Sequence, residues 1–138
     1  MKKSIILLLS CLLLLVACGK KEEKKVQTNP YNGEYHFYNP LAGENSFEEI
    51  LTIKGKKVSI FHTEYDDSGQ WQDDGEIKGK VIHFKSGSIA EINLIDDRMT
   101  LNYEKNVYNS SDKFDKAGSK VQEENKQNYI DLTNQIEE

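Results

Sequence analysis

Only two cysteines occur in 138 residues, and they cannot form a disulfide within the folded part. Cys11 lies inside an almost wholly apolar stretch, Ile5 to Val16, and Cys18 follows just behind it. A small domain without disulfides must rely on its core, or on a ligand or partner. Long apolar runs are missing as well. Ile5 to Val16 would rise only about 18 Å as a helix, short of the roughly 30 Å hydrocarbon layer of a bilayer. Basic excess is missing too: 18 Lys and Arg stand against 23 Asp and Glu. Residues 31–117 carry 10 basic and 16 acidic groups, so the acidity belongs to the domain, and nucleic-acid binding by a basic surface is excluded.

The motifs of catalysis are absent in turn. His36, His62 and His83 fall in three separate predicted strands, with no His-x-His or Cys-His spacing, so a metal site would need all three to converge. Ser86-Gly87-Ser88 lacks both sides of a G-x-S-x-G elbow. No P-loop or dinucleotide fingerprint occurs. Asp66-x-Ser68-Gly69-x-x-x-Asp73 offers oxygen ligands near a turn, without the ordered spacing or terminal glutamate of an EF-hand. Asp66-Asp67, Asp73-Asp74 and Asp96-Asp97 are adjacent pairs, and neighbours on a strand point to opposite faces. Glycoside hydrolysis needs two carboxyl groups facing one groove, so these pairs read as turn and solubility residues. The expectation is a chain that is not an enzyme, with no catalytic residues, no metal site and no cofactor.

What is present begins at the N-terminus. Met1-Lys2-Lys3 is a basic lead into the short apolar stretch, the pattern of a signal peptide rather than a span. Leu15-Val16-Ala17-Cys18 resembles the lipobox of bacterial lipoproteins. That resemblance implies cleavage after residue 17, diacylglycerol on the Cys18 thiol, and in many bacteria acylation of the new amino group. One acyl chain holds a membrane weakly and two or three hold it nearly permanently, at about 0.8 kcal/mol per buried methylene. The protein would then be anchored at the cell membrane, or at the outer membrane of a two-membrane host, with its folded domain outside the cytoplasm. Residues 18–30 read as lipidated cysteine plus tether, in which Lys20-Lys21-Glu22-Glu23-Lys24-Lys25 is a hydrated spacer. Its four lysines also suit anionic headgroups.

From Tyr31 the chain reads as short strands punctuated by turns. Seven are expected, near residues 31–38, 47–53, 58–65, 71–78, 81–85, 89–95 and 99–105. They form a mostly β, antiparallel meander over 31–108 that closes into a barrel or a strongly curved sheet, because closure removes unpaired edges. Ala90, Ile92 and Leu94 share one face, as do Met99, Leu101 and Tyr103, whereas the face of residues 81–85 is ambiguous. A helical segment is expected over 109–138. Ser111-Asp112 would cap a short helix carrying Phe114 and Ala117. Ser119 and Gln122 then have capping-box spacing for a longer one, with Val121, Tyr129, Leu132 and Ile136 as its apolar stripe.

Aromatic residues are the best clue to binding. Tyrosine and tryptophan can pack an apolar ring while offering a polar tip to a partner. Trp71, Tyr65 and Tyr35 are the candidate binding residues, Trp71 foremost because it follows the acidic turn at a barrel rim. Tyr31-x-Gly33-x-Tyr35 and the hairpin rhythm through Tyr103 resemble the small lipocalin-like and copper-stress barrel domains of bacterial lipoproteins. The Cys-x-x-Cys of the copper-stress group is missing, so no metal-related role follows. The leading functional expectation is noncatalytic recognition of an envelope or extracellular protein, through rim turns at 41–46, 66–70, 86–88 and 96–98. A carrier of a small apolar molecule and a structural or envelope-stress lipoprotein are the alternatives.

Overall fold

The computed structural model describes residues 28–39, 46–65 and 69–135. Eight antiparallel strands close into a barrel in simple sequence order: β1 Gly33–Asn39, β2 Phe47–Lys54, β3 Lys57–Glu64, β4 Gln70–Lys78, β5 Val81–Phe84, β6 Ile89–Ile95, β7 Arg98–Lys105 and β8 Lys113–Lys116. The helix α1, Lys120–Asn134, follows and lies against β1 and β8.

The eighth strand corrects the expectation of a short helix after Ser111. Phe114 is wholly buried in the barrel core, and its strand closes the circle through Arg98↔Asp115 on β7 and Tyr35↔Lys116 on β1. Four residues with one large apolar side chain fit either a helical or an extended pattern. Barrel closure decides, because β1 and β7 would otherwise each keep an unpaired edge. The barrel therefore runs to residue 116, past the expected limit of 108.

Alternation places the side chains. Leu51 and Ile53 on β2, Val58 and Ile60 on β3, Ile77 on β4 and Ile92 on β6 all point inward. The ambiguous strand resolves the same way, with Ile82 and Phe84 inside and His83 outside. Thirteen of these large and small apolar side chains form one cluster along the axis, so the interior is filled by the protein's own atoms. Gly75 is needed for this packing: a Cβ there would come within 2.6 Å of the His83 carbonyl oxygen on β5.

Ser119 caps α1 as its spacing predicts, its hydroxyl accepting the Gln122 backbone N–H at 3.2 Å. Gln122 reaches back with Oε1 to the Gly118 N–H, one residue before the usual capping-box target. The expected apolar stripe meets the barrel only in part, through Tyr129, whose ring packs on Tyr38 with centroids 5.5 Å apart. Val121 is exposed, and Gln122, Asn125, Tyr129 and Thr133 make the inner face. Docking is largely polar: Gln122 Nε2 donates to the Tyr38 hydroxyl at 2.9 Å, and Asn125 Nδ2 to Asp115 Oδ2 at 2.9 Å. Ile136 lies outside the described residues. Among those residues, no helix is long and apolar enough to cross a membrane.

Antiparallel order sorts the connections into two ends. The links β1–β2, β3–β4, β5–β6 and β7–β8 leave at the first end, and β2–β3, β4–β5, β6–β7 and β8–α1 at the second. The chain comes in at the second end, where Asn29 Nδ2 donates to the Gly55 carbonyl at 2.6 Å and Asn32 Oδ1 accepts the Gly55 N–H at 2.7 Å.

Candidate functional site

Register puts Phe37, Glu49, His62 and Trp71 side by side across β1 to β4, one row below the first end. All four occupy inward positions, yet this row is polar in its middle. The Glu49 side chain is almost completely buried, and both of its oxygens are bonded. Oε1 accepts from His62 Nδ1 at 3.0 Å, and Oε2 accepts the Ser111 backbone N–H at 2.7 Å. A carboxylate taken out of water needs such partners. Here one comes from the adjacent strand and the other from the β7–β8 loop.

The rings continue the row outward. His62 packs on Phe47 with centroids 4.7 Å apart, and on Trp71 at 5.0 Å with planes 11° apart. Trp71 in turn stacks on Tyr108 at 4.7 Å, again with planes 11° apart. Tyr108 is 44% exposed and neighbouring Val107 46%, so the stack begins inside the barrel wall and ends in solvent.

The loop carrying Tyr108 is fastened at several points. Asn106 and Ser110 bridge each other, Asn106 Nδ2 to the Ser110 carbonyl at 2.8 Å and the Ser110 N–H to Asn106 Oδ1 at 3.0 Å. The Val107 N–H donates to Ser88 Oγ at 3.0 Å. Ser88 belongs to a second knot, in which the Ser86 hydroxyl bonds both Ser88 Oγ and buried Asp73. Asp73 also accepts the Ser86 N–H at 3.2 Å. This corrects the reading of Asp73-Asp74 as a solubility pair. Asp74 does face out, where the Gln72 amide and then Lys85 lower its carboxyl pKa, but Asp73 points in and holds the β5–β6 turn. Tyr103 lies nearby with its hydroxyl unbonded, and burial pushes that phenol up.

Of the sequence candidates, Trp71 and Tyr65 belong to the first end. Trp71 is half-buried in the stack, and half-buried Tyr65 follows β3, its N–H donating to the Ser46 carbonyl at 2.9 Å. Tyr35 is a correction: it is 1% exposed, packed in the core one row deeper, with its hydroxyl donating to the Tyr31 carbonyl at 3.0 Å. Its strand alternation points it inward, so it cannot meet a partner. Turn 96–98 is a second correction, since it lies at the opposite end from 86–88. Cys18, turn 41–45 and Asp66 to Ser68 lie outside the described residues. Sequence reading missed Glu49 and Ser111, weighed His62 only as a metal ligand, and did not single out Tyr108 among the aromatics. Alternation could have placed Glu49 in line with Leu51 and Ile53, and that was the available signal.

The histidines do not converge. His36 is on the outer face of β1, where the hydrogen bond to Glu48 raises its pKa against the opposing effect of burial. His62 is inside and His83 outside. Among the described residues, no group of three or more His, Cys, Asp or Glu is placed to hold a metal ion. A groove of about 770 Å³ on the outer wall is lined by groups of both signs, including Lys57, Asp74, Glu76 and Lys85. No family model, curated protein or solved structure matches this chain.

Proposed function

We propose that this chain is a lipid-anchored bacterial lipoprotein whose barrel recognises an envelope or extracellular protein without catalysis. The observation that carries the reading is the Trp71–Tyr108 stack at the barrel end opposite the incoming chain. An anchor at Cys18 would hold the second end toward the membrane and present this first end outward. Rigid aromatic rings on a fastened loop suit recognition, because little side-chain entropy remains to be lost on binding. The filled interior speaks against carriage of a small apolar molecule, which needs a hollow barrel. In this reading Glu49 and His62 position Trp71 from behind, and they have no role in bond making.

A photo-crosslinking residue at position 108, in whole chain expressed in a bacterial host that acylates it, tests the recognition half. Position 95, also exposed but at the other end, is the control. A discrete crosslinked protein from 108 and not from 95 is the expected result. Equal capture at both ends, or capture at neither, would count against the first end as a recognition surface. The anchor half is tested by palmitate labelling, which Cys18→Ala should abolish.

A further inference from the structure

The second end of the barrel concentrates positive charge on an otherwise acidic domain. Lys54 and Lys57 flank the β2–β3 turn with Lys56 inside it, and Lys78 and Lys80 sit at the β4–β5 turn. All five are exposed. These are half of the ten basic residues in 31–117. Sequence separates the two groups by more than twenty residues; the fold makes them neighbours. The Ile77 N–H donates to the Lys56 carbonyl at 2.9 Å, which ties one turn to the other. Gly55 and Gly79, at φ 61° and 63°, supply the left-handed conformation that lets each turn be so tight.

Acids at this end are spread over several strands. Glu76 stands opposite Lys57 in the β3–β4 register, Glu91 pairs with Val81 beside Lys80, and Glu34 near the start of β1 is bonded to His36 at 2.8 Å. Asp96 and Asp97 are on the β6–β7 turn, where Lys116 and Arg98 are close in the chain fold. Arg98 is itself taken up by Asp115 at 2.8 Å. At the first end Lys85 is paired with Asp74 at 3.1 Å, and Lys105 and Lys113 adjoin Glu104 and Asp112 in the chain.

The incoming chain lies against the β2–β3 lysine turn, through the Asn29–Gly55 and Gly55–Asn32 bonds. Cys18 precedes Thr28 by ten residues, at most about 35 Å of extended chain. We infer that the five lysines at 54, 56, 57, 78 and 80 form a second membrane contact, a docking face for anionic lipid headgroups. This inference rests on the lipid-anchor reading above for its orientation. The acyl chains would hold the protein on the bilayer, and the lysine face would fix which end of the barrel meets it. Self-repulsion among the five lysines is relieved when anionic headgroups approach, and each lysine near such a surface is worth about fivefold in partition. With the lysine turns on the bilayer, the Trp71–Tyr108 end points away from it.

The test uses whole chain reconstituted in vesicles of phosphatidylcholine, alone or mixed with phosphatidylglycerol. Mass spectrometry follows amine-reactive labelling lysine by lysine. Several-fold slower labelling of Lys54, Lys56, Lys57, Lys78 and Lys80 is expected in the mixed vesicles only. Lys105 and Lys113, at the first end, should keep their rates. High salt should restore the five rates, and the triple variant Lys56→Glu, Lys78→Glu, Lys80→Glu should lose the protection of Lys54 and Lys57. Equal rates in both vesicles, or equal protection at both ends, would overturn the proposal. So would protection that soluble polyphosphate reproduces in neutral vesicles. Palmitate labelling of the same chain separates the two readings. Label at Cys18 without lysine protection sinks the docking face alone, and protection without label sinks the anchor alone.

Discussion

His62 and Trp71 lie face to face, ring centroids 5.0 Å apart and planes 11° apart, while Glu49 holds the far side of the imidazole through Nδ1 at 3.0 Å. The sole tryptophan of the chain is thus positioned by a buried acid on a strand two away. Because Glu49 also accepts the Ser111 N–H, one carboxylate sets both the base of the ring stack and the loop that carries its tip.

Replacing that carboxylate should loosen both. Glu49→Ala leaves the His62 and Ser111 donors unsatisfied in a buried place, and a loss of about 3 kcal/mol is expected. Glu49→Gln keeps one acceptor oxygen and should cost about half as much. Urea unfolding gives the stability, and Trp71 fluorescence reports the stack. If the two variants lose equally, packing rather than hydrogen bonding is what Glu49 supplies.

The outer face of β1 carries a pH-dependent contact. His36 bonds Glu48 at 2.9 Å and Glu34 at 2.8 Å, and the Glu48 hydrogen bond raises its pKa above the ordinary 6.5. A raised histidine pKa contributes stability that is fully present below the unfolded value and fades as pH rises through the folded one. The melting-temperature gap between the native chain and His36→Gln should therefore be widest below pH 6.5 and shrink as the pH is raised past it. A gap that widens with pH would show that the imidazolium is not the stabilising form.

Helix α1 depends on a few polar bonds. Gln122 links Gly118 to Tyr38, whose phenol is pushed up to about 12 by burial and then by Glu48. Gln122→Ala should cost about 1–2 kcal/mol, and Ser119→Ala about 1 kcal/mol through the lost cap. Val121→Ala, on the exposed face, should change stability by less than about 0.5 kcal/mol. Thermal melts of the three variants check the order. Deleting residues 119–138 should lower the melting temperature more than any of them.

A methyl group at position 75 should be as disruptive as a lost core residue. Gly75→Ala sets a Cβ 2.6 Å from backbone that the β4–β5 ladder holds in place, so a penalty of about 2–3 kcal/mol is expected. Amide exchange should locate it: protection falls first on β5, the short strand beside it. Unchanged exchange there would mean that the barrel yields at no cost.

Much of this molecule was legible in the residues themselves. Turn glycines and two-residue alternation marked seven of the strands, because each signal acts over a few neighbouring residues. Ser119 announced the start of α1 for the same local reason. What needed the tertiary structure was everything decided by distant partners. Lys113 to Lys116 became a strand only because β1 and β7 each needed a neighbour there. The inner face of α1 was set by Tyr38 and Asp115, which drew in Gln122, Asn125 and Tyr129 and left Val121 outside. Glu49 went inside because His62 and a loop amide were waiting for it, and Tyr35 left the rim because its strand turned it into the core. Charge followed the same rule: composition gave an acidic domain, and the antiparallel pairing of β2 to β5 gathered five lysines at one end of it.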